Sequence, residues 1–310
     1  MTVPNGFVPM LAVNMEKVKQ QPSTRYVSEK LDGIRCLFFG GVAYSRTLKP
    51  LPNKKLQVLA KAYAQVLEGC DGEVIAGGDR YAVGVLQRSN SFCMKADNDD
   101  EFCVYLFDRY MPDTPWIIRF INVRNKVVDI PNVKVLEHYF VREKDSYPIE
   151  DMPWVDLDMF EQEVLAKGGE GIMVRDAHGK YKFGRSATHE PELQKVKRFQ
   201  DIECRVIGYS QLEKNQNEAI ENELGLLKRS TSKDGKILVD ALGSITCKLP
   251  SDIEFNVGSG FTMQQRIDIW KNMREESVIG KLAKVKYFNM SVYGVPLLPT
   301  FIAFRSEIDV

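Results

Sequence analysis

Lys30-Leu31-Asp32-Gly33-Ile34-Arg35, a K-x-D-G-x-R stretch, decides how this chain is read. Arg25 to Glu29 before it reads as a strand, and Cys36 to Phe39 after it reads as another. The stretch therefore sets a lysine, a carboxylate, a glycine and an arginine at a strand-to-turn junction, where a rigid sheet presents side chains to a ligand. A lysine amine becomes a nucleophile when burial or nearby positive charge keeps it neutral. Taken alone, the hexapeptide also fits a charged hairpin turn, because Asp-Gly is a common turn signal. The downstream sequence separates the two readings.

Six further elements come after it in order. Ser45-Arg46 opens Ser-Arg-Thr-Leu-Lys-Pro-Leu-Pro-Asn53, and Asp71-Gly72-Glu73 precedes an apolar strand. Phe102 to Phe107, followed by Asp108, alternates so that Cys103, Tyr105 and Phe107 share a face. Glu170-Gly-Ile-Met-Val-Arg175 reads as another strand, followed by Tyr181-Lys-Phe-Gly-Arg-Ser186. In Leu193-Gln-Lys-Val-Lys197 the period of two aims Lys195 and Lys197 at one side. As chemistry, the set offers a lysine nucleophile, carboxylates suited to a hard divalent cation, an aromatic face for a purine, and fixed cations for a phosphate chain. No G-x-x-x-x-G-K-[ST] occurs, so phosphate is not held by a P-loop.

The bulk properties narrow the class. A length of 310 residues suits two domains with cores of their own. No apolar run approaches a membrane span, and Met1 to Met10 lacks the layout of a signal peptide, so the expectation is a protein that is neither secreted nor membrane-bound. Six scattered cysteines and three histidines show no metal-ligand spacing and point to reduced thiols, with zinc chemistry disfavoured. With 42 basic and 42 acidic residues, any nucleic-acid binding must rest on local patches. Two exist: Lys180 to Arg198, and Lys228, Arg229, Lys233 and Lys236 around Asp234.

Lys54 to Leu67 carries Leu56, Leu59, Tyr63 and Val66 at helical spacing, and Leu157 to Lys167 reads as a second helix stopped by Gly168-Gly169. Beyond about residue 200, strands dominate, interrupted by one helix near Met263 to Met273 that Thr262-x-x-Gln265 would cap. Such a texture suits a small barrel of the OB type. Gln211 to Glu223 is polar and predicts an exposed loop or hairpin.

These motifs, in this order and over nearly the whole chain, resemble those of the covalent nucleotidyltransferases: lysine-adenylating DNA and RNA ligases and mRNA capping enzymes. The small ATP-dependent DNA ligases of large DNA viruses and phages are the most similar. Ser45 to Asn53, Gly179 to Ser186, Lys228 to Lys236 and Gly258-Ser-Gly-Phe261 resemble segments of that type. The resemblance implies an α+β nucleotidyltransferase (adenylation) domain at 1–200 followed by an OB-fold domain at 201–310, with a DNA-clamping latch at 211–236. It implies that Lys30 carries AMP, that Ser28 and Glu29 meet the adenine edge, and that Phe107 stacks on the base. Arg35, Glu73, Lys195 and Lys197 would also bind nucleotide, and Arg305 would reach the pyrophosphate. Glu170, Glu73 and Asp32 would hold Mg²⁺ or Mn²⁺. Arg46, Arg185, Lys182, Lys228 and Arg229 would contact DNA. The implied activity is sealing of nicked duplex DNA with ATP, by a monomer, in DNA replication, repair or recombination. The implied place is the cytoplasm or the host-cell compartment where DNA is replicated. Rival readings are an RNA ligase, a capping guanylyltransferase and a non-catalytic nucleic-acid-binding protein. The chain lacks the R-x-D-K form of the last motif, and for Arg305 a plain surface pairing with Glu307 or Asp309 competes.

Overall fold

A computed structural model describes residues 3–142, 152–225, 227–230, 232–272, 277–291 and 293–305. The chain divides into two compact units, Met1–Lys197 with Asn222–Leu226, and Arg198–Glu221 with Leu227–Val310.

The first unit is built on two sheets. One has six strands in the order Val13–Asn14, Leu193–Val196, Ile172–Asp176, Arg25–Glu29, Tyr139–Val141 and Trp154–Val155. The other has five, in the order Val42–Tyr44, Ile34–Phe39, Cys70–Ala76, Phe102–Arg109 and Val133–Val135. The strands flanking Lys30 to Gly33 thus lie in different sheets and do not pair, which rules out the hairpin turn. The segment is the crossover between the sheets. Gly33 is required there by proximity: a Cβ on it would stand 2.4 Å from the Val74 carbonyl oxygen.

The strand Phe102–Arg109 alternates as read. Phe102, Val104 and Leu106 enter the main core with Phe38, Leu56 and Phe92, while Cys103, Tyr105 and Phe107 gather on the other face with Ile75 and Leu136. The helix expected over Lys54 to Leu67 is two pieces, Lys54–Ala62 and Ala64–Leu67, because Tyr63 leaves helical geometry at φ −113°. Leu157–Ala166 is helical and stops where Gly168 takes a left-handed φ of +89°. Two helices went unread in the sequence, Val85–Met94 and Trp116–Lys126.

The second unit has a five-stranded antiparallel sheet ordered Glu254–Val257, Lys236–Lys248, Gln200–Asn215, Leu282–Tyr287 and Thr300–Arg305. A bridge between Ser259 and Thr300, with the Phe301 amide donating to the Ser259 carbonyl at 2.9 Å, joins its two edges into a barrel. The seam explains Gly258-Ser-Gly-Phe261. Gly260 sits at φ +95° where a Cβ would meet the Phe301 oxygen at 2.2 Å, and the Phe261 ring stacks on Phe301 at 4.2 Å. The helix Met263–Asn272 has the expected capping box: the Gln265 amide donates to Thr262 Oγ1 at 3.1 Å, and the Thr262 amide to Gln265 Oε1 at 2.8 Å. Met273, the end expected for it, lies outside the described residues. The polar stretch after Gln211 continues its strand to Asn215, then forms a short hairpin, Ala219–Glu221 with Leu227–Arg229. Adenylation-type sheets followed by an OB-like barrel are the α+β arrangement expected. Among the described residues no helix is long and apolar enough to cross a membrane.

Candidate active site

In the first unit, the crossover and both sheets open onto one cavity of about 380 Å³. Strand register brings its walls together. In the six-stranded sheet Met173 lies opposite Ser28 on one side and Lys195 on the other. In the five-stranded sheet Glu73 lies between Arg35 and Tyr105. All except Tyr105 line the cavity, together with Glu29, Lys30, Phe107, Arg46, Arg185 and Arg175.

The Lys30 ammonium pairs with one oxygen of Glu170 and Lys197 with the other, so one buried carboxylate bridges two lysines. Burial pushes the Lys30 amine down to about 8; Glu73 and Asp32 oppose this, while Lys197 and Lys195 reinforce it. The Glu170 contact also favours the charged form. Burial lifts the Glu73 carboxyl to about 7 against the pull of Lys30 and Arg35. Lys195 is lowered by burial and then by Arg185 and Lys197. Lysines and arginines crowded into one concavity repel one another until an anion with several oxygens enters it. Glu170 is followed by Gly171, whose φ of +139° and whose approach to the Val196 carbonyl (2.2 Å from a would-be Cβ) leave no room for a side chain. That close approach brings Glu170 and Lys197 together.

Two buried networks hold the floor. Arg35 forks onto Asp71 with bonds of 2.8 and 2.5 Å and donates to the Met10 carbonyl at 2.8 Å, while the Tyr181 hydroxyl donates to Asp71 at 2.8 Å. Asp108 accepts from Arg119 at 2.8 and 3.1 Å and from Arg175 at 3.0 Å. The Arg35 and Arg175 guanidiniums, themselves part of the cavity wall, lie 5.5 and 5.4 Å from the Phe107 ring centroid and hold that ring in place. Arg35 thus acts as a buttress as well as a wall. Asp71, Tyr181 and Arg119 drew no role from the sequence: Asp71 and Tyr181 work through partners far away in the chain, and Arg119 lies in a helix the sequence did not reveal.

The remaining candidates are more exposed or lie away from the cavity. Lys182 pairs with Glu190 at 3.0 Å and Glu192 at 3.8 Å. Arg46 and Arg185 are exposed at the cavity, and Arg185 donates to the Ala12 carbonyl at 2.6 Å. Arg229 stands on the exposed hairpin of the second unit and donates to the Asn217 carbonyl; the Lys228 side chain lies outside the described residues. Arg305, in the second unit, faces Glu203 at 3.5 Å with both side chains about two-fifths exposed. Glu307 and Asp309, its alternative partners, lie outside the described residues. Among the described residues no three carboxylate, histidine or cysteine side chains group into a metal cage.

Residues 9–197 match the ATP dependent DNA ligase domain family, and residues 235–305 match a DNA ligase OB-like domain. A DNA ligase of African swine fever virus is 25% identical over 230 residues, covering 70% of this chain and 46% of the relative. The chain thus spans about half the length of the curated relatives it matches. Among solved structures, the Chlorella virus DNA ligase-adenylate is 30% identical over 97% of this chain and 99% of that one, with a TM-score of 0.50. A Lig E DNA ligase shares the fold at a TM-score of 0.69 and 20% identity, over 96% of this chain and 99% of that one. With the family matched across well over half of its length, this chain belongs to the ATP-dependent DNA ligases.

Proposed function

We propose that this protein seals nicks in duplex DNA with ATP through a lysyl-AMP intermediate. The observation that carries the reading is Lys30 on the crossover between two sheets, facing a cavity that gathers Lys195, Arg46 and Arg185 with Phe107, with Lys197 joined to Lys30 through the shared Glu170 carboxylate. In the first step the Lys30 Nζ lone pair attacks the α-phosphorus of ATP. A P–N bond forms, the bond to pyrophosphate breaks, and the amine loses a proton. Ser28 and Glu29 meet the base edge and Phe107 stacks on the ring. Lys195 and Lys197 neutralise the α-phosphate, and Arg305 meets the leaving pyrophosphate. In the second step the AMP passes to the 5′-phosphate of a nick, restoring the lysine. In the third the 3′-OH displaces AMP and closes the strand.

The family implies a divalent metal. Asp32, Glu73 and Glu170 border Lys30, and Mg²⁺ is commonly held by one or two carboxylates with phosphate and water oxygens, so this donor set fits without a cage. Once bound, the metal would stabilise negative charge that builds on the phosphate oxygens. Arg46 and Arg185 would hold the 5′-phosphate. Lys182, Lys228 and Arg229 would meet the duplex, with Lys182 first exchanging its glutamate partners for phosphate. The division near residue 200, the clamping role of 211–236, the monomeric state and a compartment that holds DNA belong to the same reading.

Intact mass after incubation with ATP tests it: the protein should gain one AMP, and Lys30→Ala should gain none. Lys30→Ala should also fail at a 5′-phosphate nick yet seal some nick that is already adenylated. Covalent AMP on the variant, or a preference for GTP as the donor, would overturn the assignment.

A further inference from the structure

The wall of the cavity beside the nucleophile is held by a loop that takes no part in the three chemical steps. Glu29 directly precedes Lys30, and both of its carboxylate oxygens face the loop, Oε1 through hydrogen bonds and Oε2 through charge alone. Arg80 donates to Oε1 at 3.1 Å and faces Oε2 with its Nε at 3.0 Å, and the Tyr81 hydroxyl donates to Oε1. Arg80 is itself fixed. Its guanidinium lies 5.1 Å from the Tyr81 ring centroid and 5.5 Å from that of Tyr105, and it donates to the Tyr81 hydroxyl at 3.2 Å. Tyr105 shares its strand face with Phe107. The loop turns through Gly77, Gly78 and Gly84, all at positive φ, and the Tyr81 amide donates to Asp79 at 2.9 Å. An otherwise exposed loop therefore returns two side chains to one carboxylate, whose side chain is only 11% exposed.

We infer that Arg80 and Tyr81 are positioning residues for nucleobase selection, holding the Glu29 carboxylate as a fixed hydrogen-bond acceptor at the base edge of the nucleotide site. The inference rests on the ligase reading above. A carboxylate is an acceptor only; Arg80 and Tyr81 occupy both lone pairs of Oε1, and Oε2, which Arg80 faces but which accepts no hydrogen bond, is the acceptor left for the base. A purine with a 6-amino group donates to such an acceptor. A 6-oxo purine turns an acceptor toward it and is disfavoured. Without the two-pronged Arg80 contact the carboxylate gains rotamers, and a bound amino-purine must bear the cost of fixing it. Lysine in place of Arg80 keeps the charge but not the fork.

The test compares single-turnover self-adenylation by ATP with self-guanylylation or inosinylation by GTP and ITP, for wild type, Arg80→Ala, Arg80→Lys, Tyr81→Phe and Glu29→Gln. Losing one well-oriented charge-assisted hydrogen bond to the base should raise the KM for ATP about tenfold in Arg80→Ala. The rate at saturation should fall far less, and the KM for ITP should barely move, so that the preference for ATP over ITP narrows. Arg80→Lys and Tyr81→Phe, which leave the loop intact, should fall between the two. Equal rises in KM for ATP and ITP, or a loss confined to the saturating rate, would make the pair a loop staple and overturn the proposal alone. Wild-type protein that forms no covalent nucleotide would overturn the ligase reading itself and this proposal with it.

Discussion

Among single residues, His138 makes the sharpest forecast. Its ring packs 4.9 Å from Trp116 and 4.5 Å from Phe120, with Nδ1 3.0 Å from the Leu136 carbonyl oxygen. Burial, then the nearby Arg175 charge, drives it down to about 3, so it folds neutral. In the unfolded chain it titrates near the ordinary value of about 6.5. Below that pH the unfolded state takes up a proton that the native state refuses. The stability this group contributes is therefore complete above pH 6.5 and is lost as pH falls from there toward 3. Glu73, raised to about 7, works in the opposite sense between its unfolded value and 7, so only the difference between variants isolates the histidine. Wild type should lose about 2 kcal/mol more than His138→Phe between pH 6.5 and 5. Urea midpoints at the two values check it, and parallel losses would place the burdened group elsewhere. Neither this histidine nor the Arg35–Asp71–Tyr181 network was legible in the sequence. Arg35 and Asp71 are 36 positions apart and Tyr181 is 110 from Asp71, and no periodicity links them. That Lys30, Glu73, Phe107 and Lys195 meet at one cavity was legible because short motifs carry the last three on strands whose alternation fixes their side and set Lys30 directly after one.

Single elements were readable where local chemistry decides them. Thr262 and Gln265 announce a helix start, and they form the reciprocal cap. Val85–Met94 was hidden because its buried face includes Ser89, which accepts from the Ala76 amide at 3.0 Å; a polar residue on the inner face breaks the apolar period. Trp116–Lys126 was hidden by its Ile-Ile and aromatic content, which favours strands, although Trp116, Phe120 and Val123 sit at helical spacing and are buried. At Asn53 the sequence supplied a residue without its meaning. Its Oδ1 accepts from the Leu56 amide at 3.1 Å, capping Lys54–Ala62, while its Nδ2 reaches the carbonyls of Phe92, Lys95 and Asn98 at 3.0, 3.2 and 2.9 Å. One fully buried amide thus ties two helix ends and the loop after them. Asn53→Ala should cost about 2–4 kcal/mol, a lost cap plus carbonyls left without a donor. Asn53→Asp keeps the cap acceptor but turns a charge toward those carbonyls, so it should recover little. Thermal unfolding of the two variants checks this, and full recovery with aspartate would reduce Asn53 to a simple cap.

At the scale of the whole molecule, the proposed function divides labour between two units, and the division is testable by step. Asn215 pairs with Lys236, so residues 216–235 can be replaced by an Asn-Gly turn without shifting the register of the long strands. Ile220 and Leu227 there are each 70% exposed, and the partly buried Leu224, which packs against the core of the first unit, is the main apolar contact removed. Ser45 and Thr47 (2.6 Å) lose their bonds to the Glu223 carbonyl and Lys49 its bond to the Asn222 carbonyl (2.9 Å), while the Ser45 and Thr47 hydroxyls keep their mutual contact at 3.1 Å. The deletion removes Lys228, Arg229 and Lys233, so nicked-duplex affinity should fall and its salt dependence flatten by roughly 0.9 for each phosphate no longer neutralised. Self-adenylation with ATP alone should fall much less than DNA affinity, since Leu224 is, among the described residues, the one cavity-lining side chain removed. Reduced adenylation with intact DNA affinity would reassign the hairpin to a structural role. Arg305 supplies the complementary case. Pyrophosphate leaves only in the first step, so a cation directed at it stabilises that transition state and no other. Arg305→Ala should then slow adenylation of Lys30 sharply while closure of a pre-adenylated nick stays near the wild-type rate. The opposing account is the facing Glu203, 3.5 Å away with both groups about two-fifths exposed. An exposed pair of that kind contributes about 0–1 kcal/mol and touches neither step. Glu203→Gln separates the accounts, because it breaks the surface pair and leaves the cation. If Arg305 serves the leaving group, Glu203→Gln adenylates as fast as wild type and Arg305→Ala does not. Equal loss in both steps, or none in either, assigns Arg305 to the barrel surface alone.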